Sequence, residues 1–186
     1  EGPKGYNTDF SGFITGYRNQ FGDQTPGKVV MFGAGGVGKA VAFALKRLQA
    51  SEIIFIERDI GKAEALAATV NEGGGSATVA RVGSMDDLAT ADGVINCTPL
   101  GMVGYGGSPV PEGQFPAAKW AFDAVYTPVN TPFKAQAEAA GAAFMSGYEL
   151  YYYQGVDAYE FFTGVKVEDH NTLRKLLSET PDDQVA

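Results

Sequence analysis

Cysteine is all but absent from this chain of 186 residues: Cys97 stands alone, which excludes an internal disulfide framework and suits a reducing compartment. Histidine also occurs once, at position 170, in a polar segment that reads as a surface helix, and no spacing suggests a metal site. Long hydrophobic runs are missing. None approaches the roughly 20 residues that span a bilayer, and no basic-then-apolar leader opens the chain, so the cytoplasm is the expected location and no membrane partner is expected. Positive charge is scarce. Fourteen Lys and Arg against 22 Asp and Glu leave a net charge of -8, and the phosphate field of a nucleic acid or anionic membrane would repel it. The opening Glu1-Gly2-Pro3, without a Met, reads as a processed or truncated start.

What is present is a regular alternation. Phe10, Phe13, Ile14, Tyr17 and Phe21 fall at helical spacing, with Thr8 or Asp9 placed to cap the first turn. From Lys28 onward, short apolar strands alternate with helices: KVVMFG, EIIFIE, SATVARV, DGVINCT, WAFDAVY and AAFMSG are the strands. Nearly continuous apolar strands separated by helices predict a doubly wound, mostly parallel sheet covered on both faces. Two further helices close the chain, over 149–164 and 168–179, before a polar tail.

The first strand runs into Gly33-Ala34-Gly35-Gly36-Val37-Gly38, a G-x-G-x-x-G turn that opens a helix. Gly33 permits the tight turn, Gly35 lets backbone approach a pyrophosphate, and Gly38 lets the helix pack on the strand. Amide donors and the positive end of the helix dipole then face the phosphates. This placement predicts a Rossmann-like α/β fold holding a dinucleotide. Glu57 ends the second strand, 19 residues beyond Gly38, where a carboxylate bonds the adenosine ribose hydroxyls and repels a 2'-phosphate. Arg58 could pair with that phosphate or stack on adenine, whereas Asp59 adds a second acid. The balance favours NAD, with NADP as the alternative.

Four more segments carry a resemblance. GYNTDFSGF (5–13), INCTPLGM (95–102), DAVYTPVNTPF (123–133) and GYELYYYQGVDAYEFFTG (147–164) are, in that order, similar to motifs of the shikimate and quinate dehydrogenases. Methylene-tetrahydrofolate dehydrogenases and glutamyl-tRNA reductases have related cofactor domains but do not combine N-T-D-x-x-G with a late glutamine helix. The resemblance implies a two-lobed oxidoreductase that moves a hydride between NAD(P) and the ring hydroxyl of shikimate or quinate, or the matching 3-dehydro acid. It implies that Asp9 is a substrate-binding aspartate working beside a lysine, and that Asn7, Tyr126 and Gln154 meet the polyhydroxy carboxylate. Thr98, Ala124, Gly147 and Leu150 would line the nicotinamide. Residues 1–24 would form an inter-lobe helix segment, 25–147 the nucleotide-binding domain, and 148–186 helices packing against the inter-lobe region.

Each residue also has a plainer reading. Asp9 suits a helix cap; Gln154, on a stripe with Tyr151, Ala158 and Phe161, could bond backbone or water; Cys97 reads as a buried filler without a neighbouring base. An Asp of ordinary pKa near 4 is a poor proton carrier at neutral pH, so Asp9 is expected to orient rather than transfer. The sequence departs from the family in four ways. No lysine stands in the V-T-x-P-x-K context that carries the catalytic lysine, Glu57-Arg58-Asp59 replaces the NADP-suited Asn-Arg-Thr, Leu150 replaces a frequent methionine, and Tyr151-Tyr152-Tyr153-Gln154 is more aromatic than the usual aliphatic run. The expected chain is therefore a cofactor-binding lobe that is inactive alone and self-associates through a patch of partly uncovered Phe10, Phe13 and parts of the terminal aromatic helix. The competing classes are a non-catalytic nucleotide-binding or scaffold domain and an NADP-dependent biosynthetic shikimate dehydrogenase.

Overall fold

A computed structural model describes residues 2, 5–72, 74 and 76–178. The end of the last expected helix at Glu179, the polar tail and two glycines of the 71–76 loop lie outside the described residues.

The alternation of strands and helices becomes one six-stranded sheet: β1 (Lys28–Phe32), β2 (Glu52–Ile56), β3 (Val79–Val82), β4 (Gly93–Asn96), β5 (Trp120–Asp123) and β6 (Ala143–Ser146). The spatial order is β3-β2-β1-β4-β5-β6, and every neighbouring pair is parallel. The helices are α1 (Thr8–Phe21), α2 (Gly36–Arg47), α3 (Ile60–Glu72), α4 (Pro132–Ala139), α5 (Gly147–Thr163) and α6 (His170–Ser178). Both faces of the sheet are buried, which is why its strands lack a polar stripe. Along β1, Val29 and Met31 join one core with Phe13, Tyr17 and Leu45, while Val30 and Phe32 join the other with Phe133 and Ala137.

The cap of α1 differs from the expectation. Asn7, not Thr8 or Asp9, accepts the Phe10 amide proton through Oδ1 at 3.0 Å, and it holds an extended backbone before the helix. Asp9 therefore sits inside the first turn with its carboxylate free of the cap. The apolar side of α1 is also better covered than expected. Phe13 is fully buried edge-on to Phe122, with centroids 5.0 Å apart, and Tyr17 packs on Trp120 at 5.2 Å. Exposed aromatic surface lies at the end of α5, within the terminal aromatic helix expected to be partly uncovered, on Tyr159, Phe161 and the 90% exposed Phe162.

The tyrosine run 151–153 divides its side chains three ways. Tyr151 stacks on Tyr126. Tyr152 lies beneath the Arg174 guanidinium, 3.9 Å from its ring centroid, and its hydroxyl is 2.9 Å from His170 Nδ1. Tyr153 accepts a bond from Asn19 at 2.7 Å. Arg174 also forks onto Glu149 at 2.9 and 2.7 Å, clamping α6 to α5. His170 is thus a half-buried partner of α5 rather than a plain surface residue.

Helices α1 and α5 meet at backbone distance. A Cβ on Gly12 would lie 2.8 Å from the Gln154 nitrogen and 3.0 Å from the Leu150 oxygen, both main-chain atoms that cannot swing away. At an open helical site, Gly→Ala stabilises by about 1 kcal/mol. Here overpacking reverses the sign, and Gly12→Ala is expected to lower stability by roughly 1–3 kcal/mol in a denaturant titration.

Candidate functional site

Because all strands are parallel, the segments leaving their carboxyl ends converge on one edge of the sheet. The strand order turns back between β1 and β4, so the loops after these strands flank a crevice, the usual ligand position in such sheets. The glycine loop leaves β1 there. Gly33 has φ +94°, and a Cβ on it would come 2.6 Å from the Cys97 carbonyl oxygen beyond β4. Any other residue would push the two loops apart. Gly38 is equally confined, since its Cβ would lie 2.5 Å from the Gly33 oxygen. Val37 is half-buried and packs on the core.

Gly35 and Gly36 behave oppositely. Both are exposed, and a Cβ on either would meet nothing within 4 Å. No side chain caps α2 and no acid stands in its first turn. Among the described residues the Gly35 and Gly36 amides donate to no protein acceptor. The positive end of α2 therefore faces open space with unspent donors, a fit for a pyrophosphate.

Glu57 borders this loop. Its Oε2 accepts the Ala34 amide proton at 2.9 Å and its Oε1 that of Asp59 at 3.2 Å. Partial burial opposes ionisation, but the amides of Ala34, Asp59 and Arg58 and the Lys62 charge outweigh it and hold the carboxyl below its usual range. Asp59 has work of its own. Its Oδ1 accepts the Lys62 amide proton at 3.2 Å at the start of α3, and Lys62 Nζ lies 3.5 Å from its Oδ2. Arg58 is exposed beside them.

On the other flank, Thr98 bonds back to Asn96 Oδ1 through its amide at 2.9 Å and its hydroxyl at 2.6 Å. Asn96 in turn donates to Asp123 Oδ1 at 2.9 Å, across the β4–β5 pairing. Asp123, 1% exposed, also accepts from the Val125 amide at 3.0 Å and the Thr131 hydroxyl at 2.6 Å. This carboxylate ties together the ends of two strands, the segment bearing Tyr126 and the cap of α4. Sequence reasoning passed over it. The available signal was a polar residue ending each of two apolar strands, but their shared register appears only in the sheet. Ala124 follows Asp123, and Gly147 begins α5 so close that its Cβ would lie 2.5 Å from the Ala124 oxygen. Leu150 is buried in the core that α1 shares, the same cluster on which Cys97 and Ala124 pack.

Asp9 is half-buried, and burial pushes its carboxyl above the ordinary value. Its charge and that of Asp123 act on Cys97, whose thiol is raised first by burial and then by these two carboxylates; it is no ready nucleophile. Asp9 thus lies within electrostatic reach of Cys97, just past the end of β4. Asn7 is exposed; its Oδ1 serves the α1 cap, and its Nδ2 donates to no partner among the described residues. Tyr126 is 41% exposed just beyond β5. Gln154 lines a cavity of about 450 Å³ with Tyr151, Tyr159, Lys166 and residues of α6, and among the described residues its amide makes no hydrogen bond. Tyr126 is not part of that cavity's wall. Among the described residues no cluster of His, Cys, Asp and Glu could hold a metal, and no helix is long and apolar enough to cross a membrane.

Burial pushes the Asp123 carboxyl up to about 6, against the lowering effect of its three hydrogen bonds. The folded value exceeds the unfolded one, so the group supports folding most when protonated, and that contribution is lost as pH rises from about 4 through about 6. Asp123→Asn removes this loss. Whatever its constant cost, the variant is expected to gain on the wild type in thermal midpoint between pH 4 and 7; a pH-independent difference would contradict the assignment.

No protein-family model matches the chain. Individual proteins do. The chain is 35% identical over 177 residues to the quinate/shikimate dehydrogenase (NAD(+)) of Corynebacterium efficiens, covering 94% of this chain and 62% of that protein. It is 36% identical over 163 residues to the shikimate dehydrogenase (NADP(+)) of Streptomyces avermitilis, covering 86% and 56%. Among solved structures, quinate dehydrogenase from Corynebacterium glutamicum in complex with NAD aligns with a TM-score of 0.84 at 34% identity, over 94% of this chain and 63% of that one. The chain spans about three-fifths of the length of the curated relatives it matches. By sequence and by fold, it is a homologue of the quinate and shikimate dehydrogenases, matching the cofactor-binding portion of those proteins.

Proposed function

We propose that the chain is the nucleotide-binding portion of an NAD-linked dehydrogenase acting on shikimate or quinate. One observation carries the cofactor half of this reading. Glu57 is fastened to the Ala34 amide at the rim of a glycine loop whose next two amides are unspent. That arrangement offers a carboxylate to the ribose hydroxyls and donors to the diphosphate, and it sets a negative charge where NADP would carry a phosphate. The nicotinamide supplies the hydride acceptor in the oxidising direction. Arg58, exposed beside Glu57, is what favours the second reading, in which NADP serves.

The remaining roles follow from the carboxyl edge. Thr98, Ala124 and Gly147 border the space beside the crevice. Leu150 supports it from within the core. Asp9 orients the substrate hydroxyl, and Tyr126 and Gln154 supply a phenol and a free amide for the other hydroxyls and the carboxylate. As hydride leaves the carbinol carbon, the hydroxyl proton needs an acceptor. Asp9 suits orientation better, and no lysine here stands in the context that the resemblance assigns to the proton carrier.

Parallel calorimetric titrations test the reading. NAD is expected to bind more tightly than NADP. Glu57→Ala is expected to weaken NAD about tenfold, the loss of a charge-assisted ribose bond, and NADP less. Tighter NADP binding by the wild type, or no change in either affinity on Glu57→Ala, would sink the NAD assignment. The 186 residues alone are expected to form no appreciable NADH from either acid, and robust NADH formation would refute that expectation. The exposed Tyr159, Phe161 and Phe162 support self-association, which light scattering at high concentration would reveal.

A further inference from the structure

The two residues read as meeting the substrate, Tyr126 and Gln154, stand on different elements, and Tyr126 is not in the wall of the cavity that Gln154 lines. Tyr151 joins them. Its ring stacks on Tyr126 with centroids 4.8 Å apart and planes 20° from parallel, and it lies three residues before Gln154 on α5, in the wall of the same cavity. We infer that Tyr151 is a further positioning and specificity residue of the substrate site, holding the Tyr126 ring against α5 and extending the wall between Tyr126 and Gln154. The inference rests on the substrate reading given above.

The physical case begins with Tyr126. It lies past the end of β5, is 41% exposed, and makes no side-chain hydrogen bond among the described residues. Its one ring contact among the described residues is Tyr151. A phenol on an irregular segment needs an anchor if its hydroxyl is to meet a ligand at a set place, and a helix is a firmer anchor than the segment itself. Tyr151 is braced in turn, tilted on Tyr148 at 6.2 Å, whose hydroxyl is buried without a partner. The rings of Tyr148, Tyr151 and Tyr126 thus run as a chain from the root of α5 to the carboxyl edge.

Exposure favours a ligand-facing role over a purely structural one. Tyr151 is 40% exposed and Tyr126 is 41% exposed, so the pair presents surface to solvent rather than filling the core. An aromatic surface with phenolic hydroxyls, next to a free amide, suits a hydroxylated cyclohexane carboxylate: C–H groups lie on the ring and hydroxyls bond at its margin. An aliphatic residue at position 151 would fill space but could neither stack with Tyr126 nor add a hydroxyl. This gives the first of the three consecutive tyrosines a task, as Arg174 and Asn19 give one to the other two.

The test compares wild type, Tyr151→Phe and Tyr151→Leu by saturation-transfer NMR with quinate and shikimate at saturating NAD, alongside thermal midpoints and NAD calorimetry. Wild type should pass saturation from tyrosine ring protons to the ring protons of at least one acid. Tyr151→Phe should retain the stack and stay within about twofold in affinity. Tyr151→Leu should lose about five- to tenfold for the acid at unchanged NAD affinity, with a modest fall in thermal midpoint from the lost ring stack. Equal acid affinity in Tyr151→Leu, or no aromatic transfer in a wild type that binds NAD, would overturn the inference. A wild type that binds no NAD would instead count against the cofactor reading, and the acid titration would still decide the role of Tyr151.

Discussion

The close approach of the loops after β1 and β4 is the constraint on which the rest of the molecule depends. At Gly33 the chain passes the Cys97 carbonyl with no room for a side chain, and Gly38 then brings α2 against the same turn. If the two loops parted there, the end of α2 would swing away from the crevice, Glu57 would lose the Ala34 amide, and the Asn96–Asp123 pair would face a gap. Two absent side chains hold the whole carboxyl edge in one arrangement. Neither position accepts a side chain unless backbone moves, so this approach of the two loops requires glycine at both.

Around that turn the polar groups divide by task. Asp123, Asn96 and Thr131 satisfy one another in the interior and serve the backbone. Glu57 bonds the loop with part of its capacity and keeps the rest at the surface. Gly35 and Gly36 keep donors with no protein partner. A buried polar network costs stability unless each member is paired, and the pairing is close to complete at Asp123 and incomplete at the glycine loop and at Gln154. Unspent hydrogen-bonding groups thus include the glycine-loop amides at the carboxyl edge and the Gln154 amide on α5.

Much of this was legible in the amino-acid order. Apolar strands alternating with helices announced a parallel sheet, and the structure gives six parallel strands with bounds within a few residues of those expected. The glycine spacing and the acid after β2 were readable because each acts through local geometry. The cap of α1 was misplaced by a residue or two, since Asn7, Thr8 and Asp9 are all competent caps and only backbone dihedrals select among them. Phe13 was expected to be uncovered because its partner, Phe122, lies far along the chain. His170 was read as a surface residue for the same reason: Tyr152 reaches it only after α6 folds back on α5.

By itself, then, the order of residues determined the fold class, the turn that opens α2 and the sign of charge beside it, because periodicity, glycine spacing and neighbouring acids express themselves within one strand-turn-helix unit. Tertiary structure decided which polar groups are spent and which remain free. Asp123 became the buried tie between two strands, Asn7 became a cap, and Tyr151 came to rest on Tyr126, each through a contact whose partner is set by sheet register or helix packing. Such contacts join positions that no local pattern relates. Only the folded chain brings them within bonding distance.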